Sequence, residues 1–393
     1  MKRDKPVGRL RAAALVLPLA AFLLLFFLAP LLNVLKTAVY NDVVRTGLPR
    51  TSVAIAKWNG KLPVSDAITR ALFDDMIWGR DKQERFGGAV RQLNSDVPGF
   101  RSLLAKTQRA ADSNPAPRLE DIDPRWADPA YWQAIQRDAN PYTDNNLLAA
   151  VDLRRNAEGR IEAMPAGSSA NLAIIGRTFL VSFLVTIICI AIGVPYALIA
   201  ARATGWRRHL MLTMVLVPLW TSLLVRSAAW VVILQTHGLI NDTLIALGAV
   251  SEPLQLIYNR TGVLLAMSQV LLPFMVLPVY GAIVAVPRNL MPAAASLGAK
   301  PLVAFAHVLL PLTLSGIVSG SLLVFMTAIG YYITPSLVGG AGDQMISSVI
   351  AFYAMGSADW GRAAALGLIL LAATMVLYAA YARVSKSNPL MSE

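Results

Sequence analysis

Side chains able to do covalent chemistry are few in this chain and badly placed for it. His209, His237 and His307 are the only histidines, and they are too widely spaced for the paired arrangement in which one helix face holds a metal. Cys189 is the only cysteine and lies inside an apolar run, where a thiol is a small core residue and no intramolecular disulfide can form. No G-x-x-x-x-G-K-[ST] sequence occurs, so the chain lacks the loop that would let it consume a nucleoside triphosphate itself. The remaining chemistry is non-covalent. Arg226 stands within an apolar run, where a mid-bilayer arginine costs at least ~2.5–3.5 kcal/mol and therefore needs a reason. It lines a path or pairs with a partner subunit, or else it snorkels near a helix end, and the residues leave both readings open. Trp230, Tyr331 and Tyr332 offer aromatic faces, while Asp242, Glu252, Asp343 and Asp359 fall in segments outside the apolar runs.

The elements that must position these residues are membrane helices. The chain has 393 residues, of which 56% are hydrophobic and 15% charged, against about a quarter charged in a soluble domain. The apolar residues gather in runs at about 12–35, 177–201, 210–235, 262–286, 309–333 and 362–382, each long enough for the ~20-residue helix that crosses a bilayer core. This predicts an all-α membrane protein with about six transmembrane helices, plus a weaker apolar run near 344–356 that lies in the interface or dips part-way in. Pro195, Pro218, Pro273 and Pro278 interrupt the helical ladders, and Gly193 and Gly320 supply either flexibility or close packing.

Three regions follow. Residues 1–36 are a basic N-terminus and a first helix too long, and too poor in small residues at its end, for a cleaved signal peptide. Residues 37–170 hold most of the charges together with Trp58, Trp78, Trp126 and Trp132, which give the means to build a small core. SDAITRALFDDMIWG and GFRSLLAKTQRAAD have helical apolar spacing, and NPAPRLEDIDPRWADP is turn-rich, so a mostly helical, water-facing insertion is expected over a disordered loop. Residues 171–393 carry the other five spans.

The net charge of +12 does not point to nucleic acid, because no basic helix is interleaved with aromatics. The basic residues instead flank the apolar runs. Lys2, Arg3, Lys5, Arg9 and Arg11 precede the first; Arg202, Arg207 and Arg208, then Arg288 and Lys300, then Arg383 and Lys386 follow later ones. Asp4 and Glu393 are the only acids in those segments. Positive residues stay inside, so both termini are expected in the cytoplasm and the 37–170 insertion outside.

One cytoplasmic segment, 287–308, is too apolar and too rich in small residues for a solvent loop: PRNLMPAAASLGAKPLVAFAHV reads as a short helix, a break at Gly298 and another helix. Ala293, Ala294 and Gly298 are followed after nine residues by Val308, Leu309, Leu310 and Pro311. This spacing resembles the cytoplasmic E-A-A-x-x-x-G motif of ABC importer permeases, with Pro292 in place of the glutamate. FFLAPLLNVL, RTFLVSFLVT, GVPYALIAAR, VPLWTSLLVRSAAWVVILQTHGLIND, LLPFMVLPVYGAI and TAIGYYITPSLVGG are similar to the spermidine/putrescine permeases, while the insertion is longer than that group's loop.

The resemblance implies the type I ABC importer permease fold. It implies that Pro292, Ala293, Ala294, Gly298, Ala299 and Pro311 belong to a loop that couples to an ATP-binding subunit. It also implies a second permease subunit and a periplasmic substrate-binding protein as partners, with no cofactor in this chain because ATP is used by the ATPase. A polyamine path would run past Arg226, Trp230, Tyr331, Tyr332 and Asp343. Permeases for opines, iron chelates or phosphonates share the motif and are the alternative. An ion-coupled secondary transporter would need an intramembrane carboxylate that these spans lack.

Overall fold

The computed structural model describes residues 6–111, 117–155, 160–165, 167, 170–357 and 359–387. Lys2, Arg3, Asp4, Lys5 and Glu393 of the charge argument, and part of the turn-rich stretch around Pro115, lie outside them. The chain divides into two compact units, residues 1–169 with 357–368, and residues 170–356 with 369–393.

The first unit begins with α1, a helical run from Pro6–Leu23 through a wider π-helical turn at Leu24–Leu28 to Ala29–Thr37. Its apolar stretch Leu15–Thr37 is long enough to cross a membrane, and none of its hydrophobic window is buried. The π-turn stands immediately before Pro30, whose ring would otherwise meet the carbonyl of Phe26.

Beyond α1 the insertion is helical: α2 (Val43–Gly47), α3 (Pro49–Ile55), α4 (Asp66–Asp81), α5 (Gln83–Asp96), α6 (Phe100–Ala110), α7 (Pro129–Ala139) and α8 (Asn145–Ala150). A two-stranded antiparallel hairpin, β1 (Leu153–Arg155) with β2 (Ile161–Ala163), closes it in the register Arg154 opposite Glu162. The tryptophans do as their content suggests, with one exception. Trp126 and Trp132 are fully buried, their rings 4.7 Å apart, and each indole N–H finds an acceptor, Thr107 Oγ1 and the Trp126 carbonyl, both at 3.0 Å. Phe100, Leu72, Met76, Leu93 and Ile135 complete the core, and Trp58 packs on its edge. Trp78 is the exception and lines a surface cavity.

Buried Asp75 accepts from the backbone N–H groups of Arg50 and Thr51 at 3.2 and 2.7 Å and from Thr51 Oγ1 at 2.8 Å. It thus caps the first turn of α3, a helix that opens on Leu48 and Pro49 with no capping side chain of its own.

In the second unit α9 (Asn171–Arg202), α13 (Arg260–Ala285) and α15 (Pro301–Gly330) are long enough to span a membrane and pack on one another. Met275 of α13 lies between two glycines. A Cβ on Gly193 of α9 would come 2.8 Å from Met275 Cγ, and one on Gly320 of α15 would come 3.0 Å from its Sδ. These glycines permit close helix approach; that, rather than flexibility, is what the packing requires of them. A second π-turn, Phe305–Leu309, precedes Pro311 as the first precedes Pro30.

The expected span at 210–235 is not straight. It is α10 (Gly205–Trp220) and α11 (Leu223–Ile233), bent by 102°. Thr221 and Ser222 between them are extended, at ψ 148° and 139°, just after Pro218 has removed a helix donor. After α12 (Leu239–Ala246), α13 is capped by Asn259, whose Oδ1 accepts from the Gly262 N–H at 2.9 Å. The remaining elements are α14 (Leu290–Ser296), α16 (Ile333–Val338), the short apolar α17 (Ile346–Gly356) and α18, which runs Trp360–Ser387 and holds an apolar span at Trp360–Ala379. Among the described residues five helices, or six with the bent pair, are long and apolar enough to cross a membrane. The fold is all-α and of membrane type.

Candidate functional site

Two places in the second unit gather the singled-out residues. The first is α14. Its first intrahelical bond runs from the Ala293 N–H to the Asn289 carbonyl at 3.0 Å, and Pro292 is the third helical residue. It remains within the turn whose N–H groups have no helical partner, which is why proline is tolerated there. The helix ends in a paired cap. The Gly298 N–H reaches the Ala295 carbonyl at 3.0 Å and the Ala299 N–H reaches the Ala294 carbonyl at 3.1 Å, with Gly298 at φ +84°. This is the Schellman arrangement, and the left-handed residue it requires is the glycine. Nothing lies within 4 Å of a Cβ built there, so the demand for glycine is one of backbone conformation alone. No α14 residue is buried, while Leu297 and Leu302 beside it are 89% and 81% exposed.

The second place is a polar patch on α11. Ser227 Oγ and Thr334 Oγ1 share a buried hydrogen bond at 2.9 Å, joining α11 to α16. Trp230 donates from Nε1 to Gln269 Oε1 at 3.1 Å, joining α11 to α13. Arg226 Nε and Nη1 are buried without a hydrogen-bond partner among the described residues. Arg226 and Trp230 stand four residues apart, on one face of α11.

Tyr332, 38% exposed, uses its carbonyl to accept from Ser336. Asp343 is engaged elsewhere: Arg260 Nε lies 3.3 Å from its Oδ1, so its charge is balanced at the start of α13. Gln269 was not singled out from the sequence, although a lone amide within the 262–286 apolar run is the kind of residue that marks a polar helix contact.

Comparison with known proteins follows the same regions. Residues 193–388 match the family described as binding-protein-dependent transport system inner membrane component. The spermidine/putrescine transport system permease protein PotB of Escherichia coli (strain K12) is 33% identical over 205 residues, which is 52% of this chain and 74% of that protein. The chain belongs to this family. The PotB protein of Haemophilus influenzae is 35% identical over 215 residues, 54% of this chain and 74% of that one. The molybdenum transport system permease protein ModB of Mycobacterium bovis is 31% identical over 195 residues, 49% and 72% respectively. The family is one of inner-membrane transport components and not of enzymes, and this member's apolar helices fit that place.

Proposed function

We propose that the chain is the permease subunit through which an ATP-driven importer passes a polyamine such as spermidine or putrescine. The observation that carries the coupling half of this reading is α14, a short helix of small residues ending in exposed Leu297 and presented without any burial of its own. Such an apolar helix end wants a groove on another protein. The partner is a separate ATPase subunit, as the resemblance to ABC importer permeases implies, and Pro292, Ala293, Ala294, Gly298 and Ala299 are the docking residues, with Pro311 setting the helix behind them. A second permease subunit completes the path, a periplasmic binding protein delivers the solute, and both termini face the cytoplasm. The chain itself binds no cofactor and makes or breaks no covalent bond.

The substrate half is supported by the identity to the two PotB proteins. It is also supported by the aromatic faces of Trp230, Tyr331 and Tyr332, which attract organic cations. The similarity to a molybdenum permease makes an oxyanion the second reading, and the unpartnered Nε and Nη1 of Arg226 favour it. Uptake of labelled spermidine by proteoliposomes holding the assembled transporter decides between them. Competition by putrescine and not by molybdate supports the polyamine; competition by molybdate alone overturns it. Loss of the ATPase on purification of the intact wild-type complex would overturn the coupling assignment.

A further inference from the structure

A cavity of about 460 Å³ opens on the first unit, lined by Tyr40, Asp42, Arg45, Thr46, Trp78 and Arg85, with Pro49 at its edge. Two stretches of the chain build it: the linker after α1 with α2, and the junction where α4 ends and α5 begins. Its charge is positive, with two guanidinium groups against one carboxylate, and neither arginine has an acidic partner among the described residues. Lys36 adds a third cation, its Nζ 4.7 Å from the centre of the Tyr40 ring. The Trp78 indole N–H has no acceptor among the described residues, so donors as well as charge are left over.

Location decides what these donors meet. Tyr40 is three residues past Thr37, where the apolar stretch of α1 ends. Three residues of chain reach at most ~10 Å, and the headgroup layer is ~5–7 Å deep on each side of the hydrocarbon core. The cavity therefore opens in or beside the headgroup layer. Just before it, Leu31, Leu32 and Val34 are exposed on α1, an apolar surface along which acyl chains can lie. Tryptophan, tyrosine and arginine at this depth are the residues that anchor in headgroups.

We propose that this cavity binds the phosphodiester headgroup of an anionic phospholipid, with Arg45 and Arg85 as its charge partners. Each cation near an anionic surface strengthens binding about fivefold, so removing both weakens it about thirtyfold.

The test is native mass spectrometry of the purified full chain in detergent, titrated with phosphatidylglycerol, with phosphatidylcholine of the same acyl chains, and with inorganic phosphate. Wild type is expected to take up phosphatidylglycerol in preference to phosphatidylcholine. The Arg45→Gln/Arg85→Gln variant should lose about thirtyfold in that affinity, while the charge-matched Arg70→Gln/Arg109→Gln control keeps it. Thr46→Asp, which puts a carboxylate in the cavity without touching either arginine, should lose it too and covers the case in which the double variant does not fold. Equal uptake of the two lipids, or equal loss in the control, overturns the proposal. So does displacement of the lipid by equimolar inorganic phosphate, which would make this a free-anion site. Undiminished lipid binding in the variants alongside lost capture of an acidic periplasmic protein would make it a protein interface instead.

Discussion

Arg362 donates from Nη2 to Asp96 Oδ1 at 2.8 Å, a bond between residues 266 positions apart that ties α5 of the insertion to the first turn of the last membrane helix. Asp96 also accepts from Arg137 of α7 at 3.1 Å through its other oxygen, and Arg362 Nε lies 3.3 Å from Asp359. The insertion is thereby fastened to residues 357–368, which belong to the same compact unit, rather than held by α1 alone.

Removing one partner of this network leaves the others facing low-dielectric surroundings. Arg362→Ala is expected to destabilise the first unit by about 2 kcal/mol, the range for a hydrogen bond to a charged group. Limited proteolysis of the purified protein reads this out: cleavage within residues 37–165 should accelerate in the variant. Unchanged protection would mean that the bond carries no weight.

The same network sets a pH dependence. Burial, and then the nearby Asp96 charge, push the Asp138 carboxyl well above its usual range, and its Oδ2 has no hydrogen-bond partner among the described residues. An unfolded aspartate ionises near pH ~3.9. From there upward the unfolded state gains charge that the folded Asp138 resists, so stability falls until the raised pKa is passed. Asp123 acts with the opposite sign. Hydrogen bonds from Arg125 and then Lys106 hold its carboxyl below the usual range, giving stability that is full above pH ~3.9 and lost as pH falls through the lowered value. Asp138→Asn should flatten the decline in thermal stability above pH ~4 and leave the acid limb in place. Melting curves that remain parallel to wild type throughout would refute the assignment.

Gly298 needs its left-handed backbone and nothing else, which makes its substitutions graded. Asparagine tolerates that conformation, whereas a β-branched residue costs roughly 1–2 kcal/mol there and frays the cap of α14. Gly298→Asn is expected to retain ATPase co-purification and Gly298→Val to lose most of it, at equal membrane insertion. Equal retention by both would show that the cap does not shape the docking helix.

Gly316 is a packing position of another kind. A Cβ there would fall on Ala282 Cβ and come 2.8 Å from the Pro278 carbonyl, so α15 and α13 must separate to admit it. Gly316→Ala is expected to lower stability by about 1–3 kcal/mol, as overpacking does. Gly281→Ala, where nothing lies within 4 Å of the added carbon, should have little effect. Thermal unfolding in one detergent compares the two directly.

What the sequence determined by itself is what depends on local composition and spacing. Runs of ~20 apolar residues must be helices in a bilayer because no water is there to satisfy an open backbone. The break at Gly298 could likewise be read before any geometry was known, and the charge-rich insertion could be given helices around Leu72 and Leu103, whereas the capping bonds of Gly298 and Ala299 came only with the structure. Only the tertiary structure decided the contacts whose partners are remote in the chain. Nothing local announces that Asp75 caps α3, that Asp96 meets Arg362, or that Gly193 and Gly320 grip Met275 from two helices. Nor does the apolar run at 210–235 announce a 102° bend, since hydropathy is blind to ψ at Thr221 and Ser222. The lone Arg226 was legible as an anomaly from its type and setting. That two of its donors are buried and left open follows from the packing of α11 on α13 and α16, and a one-dimensional pattern does not encode that.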